Sequence, residues 1–211
     1  GDYTQVGYDD SDWVNALSVP ESSAPQYIET VCESEITARY VKISVAEVGS
    51  AIYDDNENRL QIMELELLDG DSNIVTGIVP KVSNNFEWGT QWCDANMTDG
   101  DYGNGSDAGY TSEILDYGKE SLALDEPITI IFDVLAQKQF SDLKIYPRVT
   151  KESIISGVCA NYPKAYTVSV SDDGKNWTEI KTADNGLVYL ENSSYMEMST
   201  TTYGGEIRAQ I

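Results

Sequence analysis

Residues 166–177 run Tyr-Thr-Val-Ser-Val-Ser-Asp-Asp-Gly-Lys-Asn-Trp, and no other stretch of the chain limits its fold as tightly. Tyr166, Val168 and Val170 alternate with polar neighbours, Asp172, Asp173 and Gly174 carry turn chemistry, and Trp177 opens a return strand, so the segment predicts a β-hairpin. Residues 3–13, Tyr-Thr-Gln-Val-Gly-Tyr-Asp-Asp-Ser-Asp-Trp, repeat the Tyr-Thr pair, the Asp-Asp turn and the closing Trp with one residue fewer. Part of one β unit is thus expected to occur twice.

The rest of the chain keeps the same period. Helical spacing is almost absent, while short alternating runs stand between turn-rich segments: Tyr40 to Val45, Leu60 to Leu68, Ile128 to Val134, Leu143 to Tyr146, Tyr166 to Ser171 and Trp177 to Ile180. Their lengths and spacing predict an all-β sandwich. Leu60 to Leu68 is rich in Leu, Met and Glu, which favour helix. As a strand it places Ile62, Glu64 and Glu66 on one face and Leu65 and Leu67 on the other, and Asp69-Gly70-Asp71 then turns the chain, so a strand is the preferred reading. Trp92 to Gly118 is long, polar and rich in Gly, Asp and Asn, the mark of a functional or a disordered loop.

With 211 residues the chain can bury a core without cross-links. Cys32, Cys93 and Cys159 show no Cys-x-x-Cys spacing and there is no histidine, which argues against a zinc site; each Cys is expected to be a small buried residue, with one disulfide plus a free thiol as the alternative. Thirteen basic against thirty-six acidic residues give a net charge of −23, and that repels nucleic acid and anionic membranes. Neutral ligands and cations remain, and the acidity also serves solubility in an extracellular or salty setting. No run of eighteen apolar residues offers a spanning helix. A start at Gly1 fits a secreted protein whose leader has been removed, or an excised domain, so the expected location is extracellular, secreted or at the cell surface.

Ala95 to Asp101 with its Asp-Gly-Asp, Gly109-Tyr110-Thr111-Ser112, the Tyr166 to Trp177 hairpin, Thr37 to Ile43 and Arg59 to Gly70 with its Glu-x-Glu together resemble the discoidin family, also called coagulation factor 5/8 type C, and within it the bacterial galactose-binding-like carbohydrate-binding modules. Ala95 to Asp101, with its Asp-Gly-Asp, is similar to the family's early loop, and Gly109-Tyr110-Thr111-Ser112 stands where a Thr-x-Trp-x-Ser element is found. Leu124 to Asp133 and Asp142 to Arg148 look like the next core strands, and Tyr166 to Trp177 like the hairpin. Thr37 to Ile43 resembles the penultimate strand and Arg59 to Gly70 the closing one, with its Glu-x-Glu. The departure is in order, because those two closing strands precede the first ones.

Two arrangements account for that order. The chain holds the end of one module and most of another, or residues 36–70 supply the last two strands of a permuted jelly-roll sandwich spanning 36–211. The second leaves fewer sheet edges and apolar faces exposed and is preferred. Residues 1–35 are then an N-terminal hairpin appendage or the remnant of a preceding module. Tyr8 to Trp13 is also similar to the Asp-Asp-Ser-x-Trp of jelly-roll domains in glycosidases.

Oxygen donors crowd one loop: Asp94, Asn96, Asp99, Asp101, Asn104 and Asp107 fall among glycines that let backbone carbonyls turn inward. No glutamate stands at the twelfth position from Asp99 or Asp101, so this is not an EF-hand. The resemblance implies a structural Ca²⁺ held by Asp99 and Asp101, by oxygens near Asn96 and Thr111, and by Glu64 or Glu66. The competing reading is a solvated acidic loop that holds no specific ion.

Sugars offer apolar C–H faces and many hydroxyls, so their sites pair exposed aromatic platforms with polar donors and acceptors. Phe86, Trp88, Trp92, Tyr102 and Tyr110 lie in or beside the polar loops, Tyr53 lies in an Asp-Asp-Asn loop, and Arg148, Asn161 and Tyr162 follow a core strand. Trp177 and Trp13 are expected to pack, Trp88 and Trp92 each to be a core plug or a platform, and Tyr102 and Tyr110 to be exposed. Arg39 and Arg148 are read alternatively as partners of carboxylates. A Ser-His or Cys-His nucleophile pair is excluded for want of histidine, and no phosphate-cradling loop occurs, so catalysis is not expected. The resemblance implies a non-catalytic module that tethers a larger secreted glycan-degrading protein to an oligosaccharide or polysaccharide. An adhesion or protein-binding module and a structural spacer of a glycoside hydrolase are the alternatives.

Overall fold

The structure is a computed structural model that describes residues 27–51, 56–102, 108–149 and 158–185, together with short strands at 201–203 and 206–208. The hairpin expected at residues 3–13 and the candidate Tyr53 lie outside the described residues. Strands are β1 (Ile28–Val48), β2 (Glu57–Asn58), β3 (Gln61–Ile62), β4 (Glu64–Asp69), β5 (Ser72–Asn73), β6 (Lys81–Val82), β7 (Tyr110–Thr111), β8 (Asp116–Tyr117), β9 (Leu122–Tyr146), β10 (Pro163–Ser171), β11 (Thr178–Asp184), β12 (Thr201–Tyr203) and β13 (Glu206–Arg208). A single 3₁₀ turn spans Asp94–Thr98, and no α-helix is found among the described residues.

The main sheet runs β11-β10-β1-β9-β4-β5, with β6 also paired to β9. Its pairs are antiparallel throughout. Val41, Ile43 and Val45 of β1 are wholly buried at period two, opposite Val168 and Tyr166 of β10 and opposite Ile128, Ile130 and Phe132 of β9. Register shifts between Val31 and Ile36 and between Ala38 and Tyr40 bend β1 along β9. The early part of β1 therefore pairs with the end of β9, which also carries β4, while its later part lies between β9 and β10. The two halves of the sheet fold onto one core that joins Leu60, Leu65 and Leu67 to Met97, Phe132, Tyr162 and Tyr166. This is the expected all-β sandwich, and β1 and β4, early in the chain, lie inside the same sheet as β9 and β10.

Leu60 to Leu68 is extended as expected, but its faces differ from the simple alternation. The run breaks at Met63, so that Ile62 shares the core with Leu65 and Leu67 rather than the face of Glu64. Met63 instead packs with Trp92 and Tyr146. The one-residue change of phase follows from a change of partner: β3 pairs with β7 and β4 with β9.

The hairpin of β10 and β11 forms with Gly174 at φ +69°. Asp173 organises its turn: Oδ1 accepts the amides of Lys175 and Asn176 at 2.8 Å each, and Oδ2 accepts the Asn176 side-chain amide at 2.7 Å. These donors, the Asn176 amide foremost, hold its carboxyl well below the usual carboxylate range. The contribution is present above the unfolded value of about 3.9 and is lost as pH falls toward the lower folded value. Asp173→Ala is accordingly expected to speed amide exchange at Lys175 and Asn176, while leaving exchange in β1 unchanged. Equal protection in both proteins would contradict that role. Trp177 is half-buried, with the Lys42 ammonium 4.4 Å from its ring centroid, in keeping with a packing residue.

Candidate functional site

The short strands β2, β3 and β7, with the segment Phe86 to Trp92 and Arg148, build a cleft of about 260 Å³. In the segment from Glu57 to Ile62, Asn58, Leu60 and Ile62 are fully buried, whereas Glu57, Arg59 and Gln61 line the cleft at the alternate positions. β7 completes this wall by pairing Gln61 with Thr111 and Ile62 with Tyr110. The pairing sends Tyr110 into the core, where its hydroxyl donates to the Asn84 carbonyl, and turns Thr111 to the cleft. Tyr110, expected to be exposed, is thus a buried anchor, and burial pushes its hydroxyl well up from the ordinary tyrosine range.

Opposite stands a tight turn in which Trp88 N donates to Trp92 O at 2.9 Å and Trp92 N to Trp88 O at 3.4 Å. Gly89 at φ +60° makes the turn possible. The two tryptophans share the roles that sequence left open between them. Trp92 is 7% exposed and packs on Met63 and Tyr146, whereas Trp88 is 66% exposed and stands at the cleft as a free indole face. Gly109 seats the turn on β3, since a Cβ there would lie 2.8 Å from the Ile62 carbonyl oxygen.

Two of the chain's four arginines, Arg59 and Arg148, enter this cleft. Arg59 donates to Glu57 through Nε at 2.9 Å and to the Ser112 carbonyl through Nη1 at 2.9 Å, and its guanidinium lies 5.5 Å from the Phe86 ring centroid. Arg148 lies 5.5 Å from the Trp92 centroid and donates from Nη1 to Gln61 Oε1 at 3.4 Å. Asn161 does not line the cleft. It is fully buried at φ +56°, its side-chain amide donates to Gln61 Oε1 at 3.2 Å, and its Oδ1 accepts the Arg59 amide at 3.2 Å. It therefore positions two wall residues rather than meeting a ligand. Tyr162 is a core residue.

Tyr102, also expected to be exposed, is half-buried outside the cleft. Its ring meets the edge of Tyr146 at 4.6 Å between centroids, and its hydroxyl donates to Glu66 Oε1 at 2.8 Å. Tyr146 donates to the other Glu66 oxygen at 2.8 Å. Burial, then the Glu66 bond, pushes the Tyr102 hydroxyl up to about 12. Glu66 thus ties the polar loop to β9.

The residues read as metal ligands divide into two groups. Glu64 is 1% exposed and accepts the Gly100 amide on Oε2 at 3.1 Å, which brings it against the Asp99–Asp101 turn, itself closed by the Asp101 amide on Asp99 Oδ1 at 2.8 Å. No Lys or Arg pairs with Glu64 among the described residues. Burial, reinforced by the charges of Asp99 and Glu66 and opposed by the Gly100 amide, pushes its carboxyl up to about 8. A buried carboxylate beside further carboxylates and no cation has the chemistry of a hard-cation site. Among the described residues, however, no three such side chains converge on a point, and Asn104 and Asp107 lie outside them. Asn96 and Thr111 are engaged elsewhere. The Asn96 side chain donates to the Thr90 and Gln91 carbonyls at 3.1 and 2.9 Å, and Thr111 lines the cleft beside Gln61.

Glu57, Arg59, Gln61 and Gln91 complete the cleft without having been singled out from sequence. Their signal was the alternation of Glu57, Arg59 and Gln61 around Asn58 and Leu60, which marks one polar face of an extended segment. Cys93 and Cys159 are free thiols, and burial pushes Cys159 up to about 12, as suits an inert core residue.

A family model described as the F5/8 type C domain matches residues 80–210, more than half of the chain. The match covers β6 to β13 and leaves out β1 and β4, which pair with β9 in the same sheet. No curated protein matches the chain.

Proposed function

The chain belongs to the F5/8 type C, or discoidin, family of generally non-catalytic modules that bind carbohydrates or proteins, and on that premise we propose that its cleft binds a neutral glycan. The observation that carries this reading is Trp88, an indole 66% exposed at the edge of a cleft whose wall holds Glu57, Arg59 and Gln61. Trp88 offers a flat face for sugar C–H groups, and the polar wall offers donors and acceptors to hydroxyls. The Glu57–Arg59 ion pair, at 2.8 Å, neutralises Glu57 within the wall, and with Arg148 the cleft offers guanidinium donors to the hydroxyls of a ligand. A protein partner would call instead for a broad apolar patch, and here the exposed rings of Trp88 and Phe86 stand among charged and polar groups.

A structural Ca²⁺ belongs to the same proposal. Glu64 and the Asp99–Asp101 turn would hold it, and it would supply charge neutralisation that fixes the polar loop behind the cleft. The module is read as non-catalytic, extracellular, and part of a larger secreted bacterial protein that acts on polysaccharide.

Affinity electrophoresis through polysaccharide gels tests the reading. The wild-type domain is expected to be retarded, and Trp88→Ala to weaken that retention about tenfold without a change in melting temperature, because the side chain is largely in solvent. Mobility unaffected by every glycan at millimolar sugar would refute it.

A further inference from the structure

Three aromatic side chains are exposed among the described residues: Phe86, Trp88 and Tyr117. Phe86 and Trp88 line the cleft, and the third lies in register with it. Tyr117 of β8 stands directly opposite Glu57 of β2, and directly opposed residues of an antiparallel pair project to the same face of the ribbon. Glu57 is a cleft residue, so Tyr117, 59% exposed, projects to the face of the ribbon that Glu57 presents to the cleft, outside the cleft lining itself.

The ribbon that carries it is held firmly. The Leu115 amide donates to Asn58 O at 2.8 Å and the Gly118 amide to Asn56 O at 2.9 Å. The fully buried Asn58 side chain closes the far side, accepting the Lys119 amide at 3.0 Å and donating to the Lys119 carbonyl at 3.1 Å. Gly118 at φ +67° and Asn56 at φ +72° face each other at one end of this short pair. The Tyr117 ring is exposed rather than part of the core, yet the short strand that carries it is tied by backbone and Asn58 hydrogen bonds. Such a platform loses little freedom when a ligand meets it.

We propose that Tyr117 forms a second sugar subsite, so that the site accepts an internal stretch of at least two pyranose rings rather than one terminal residue. The inference rests on the glycan reading above and specifies its ligand as a neutral oligosaccharide chain. One ring meets Trp88 within the cleft, the chain passes the Glu57–Arg59 pair, and the next ring meets Tyr117. The polar pair between two platforms suits the hydroxyls near a glycosidic link.

Isothermal titration with galacto-, gluco-, manno- and xylo-oligosaccharides of one to six units tests it. For the series that binds, affinity is expected to rise about tenfold between one and three units, the gain of one further aromatic contact. Tyr117→Ala is expected to remove that gain and leave monosaccharide affinity within about twofold, while Tyr117→Phe keeps it. Trp88→Ala is expected to weaken every length alike. Binding that does not change with chain length, or a gain that survives in Tyr117→Ala, overturns the second subsite and leaves the glycan reading intact. No binding to any member of the panel overturns both.

Discussion

Chelation of divalent cations from a calcium-loaded sample is expected to lower the melting temperature by about 5 to 15 °C. A site at 100 to 1,000 times its dissociation constant contributes about 3 to 4 kcal/mol, and each kcal/mol moves a domain of this size by about 2 to 4 °C. The prediction rests on Glu64, buried, without a basic partner among the described residues, and facing the Asp99–Asp101 turn. Glu64→Gln separates an ion site from a merely acidic loop. It keeps an oxygen for the Gly100 amide and removes the charge, so it should abolish the calcium increment while leaving the chelated protein at least as stable as wild type. The pH dependence carries the same signature. Because the metal-free Glu64 carboxyl is raised to about 8, its share of stability is full below the unfolded value of about 4.3 and is lost as pH rises toward 8. The chelated wild type should therefore lose stability over that window relative to Glu64→Gln, and calcium should close the difference. A melting temperature indifferent to chelation in both proteins would rule out the ion.

Gly49→Ala is expected to cost about 3 kcal/mol, or roughly 6 to 12 °C in melting temperature. A Cβ at position 49 would fall 2.2 Å from Cε1 and 2.5 Å from Cζ of Tyr162, a fully buried core ring. The Gly49 amide also donates to the Tyr162 carbonyl at 2.8 Å, which prevents the backbone from backing away. Shortening the ring should relieve the clash, so Gly49→Ala combined with Tyr162→Leu should cost less than the sum of the two single changes. Denaturant unfolding of the four proteins decides the matter, and a Gly49→Ala variant within about 0.5 kcal/mol of wild type would show that the ring yields.

These residues also mark where sequence stops being informative. The Tyr166 to Trp177 hairpin was legible because alternation and turn chemistry are local, and so were Val41, Ile43 and Val45 as a buried stripe. Tyr110 was not legible. It sits among Gly, Asp and Ser, and only pairing with Ile62, far away in the chain, turns its ring inward. Met63 is similar, since the slip in phase there comes from a strand that changes partner. For Trp88 and Trp92, the sequence left the buried and the exposed role open between them, and the turn at Gly89 decided which ring is buried and which is exposed. Glu57, Arg59 and Gln61 were visible as a polar stripe, but their meeting with Trp88 is a product of topology. The run of oxygen donors in the acidic loop was legible, whereas the turning away of Asn96 and Thr111 depends on hydrogen bonds that no spacing reveals.

The place of β1 between β9 and β10 has a consequence for how the chain acquires its shape. Thr30 and Tyr166, whose hydroxyls meet across the sheet, stand 136 positions apart, and Arg39 and Asp133 stand 94 apart. As the polypeptide leaves the ribosome, β1 emerges before either of its neighbours, and its buried Val41, Ile43 and Val45 have no partner until β9 follows. Long-range closure of this kind is slow, and the waiting strand is an invitation to the wrong pairing. Refolding is therefore expected to be limited by closure of these long-range pairs rather than by the local hairpin of β10 and β11.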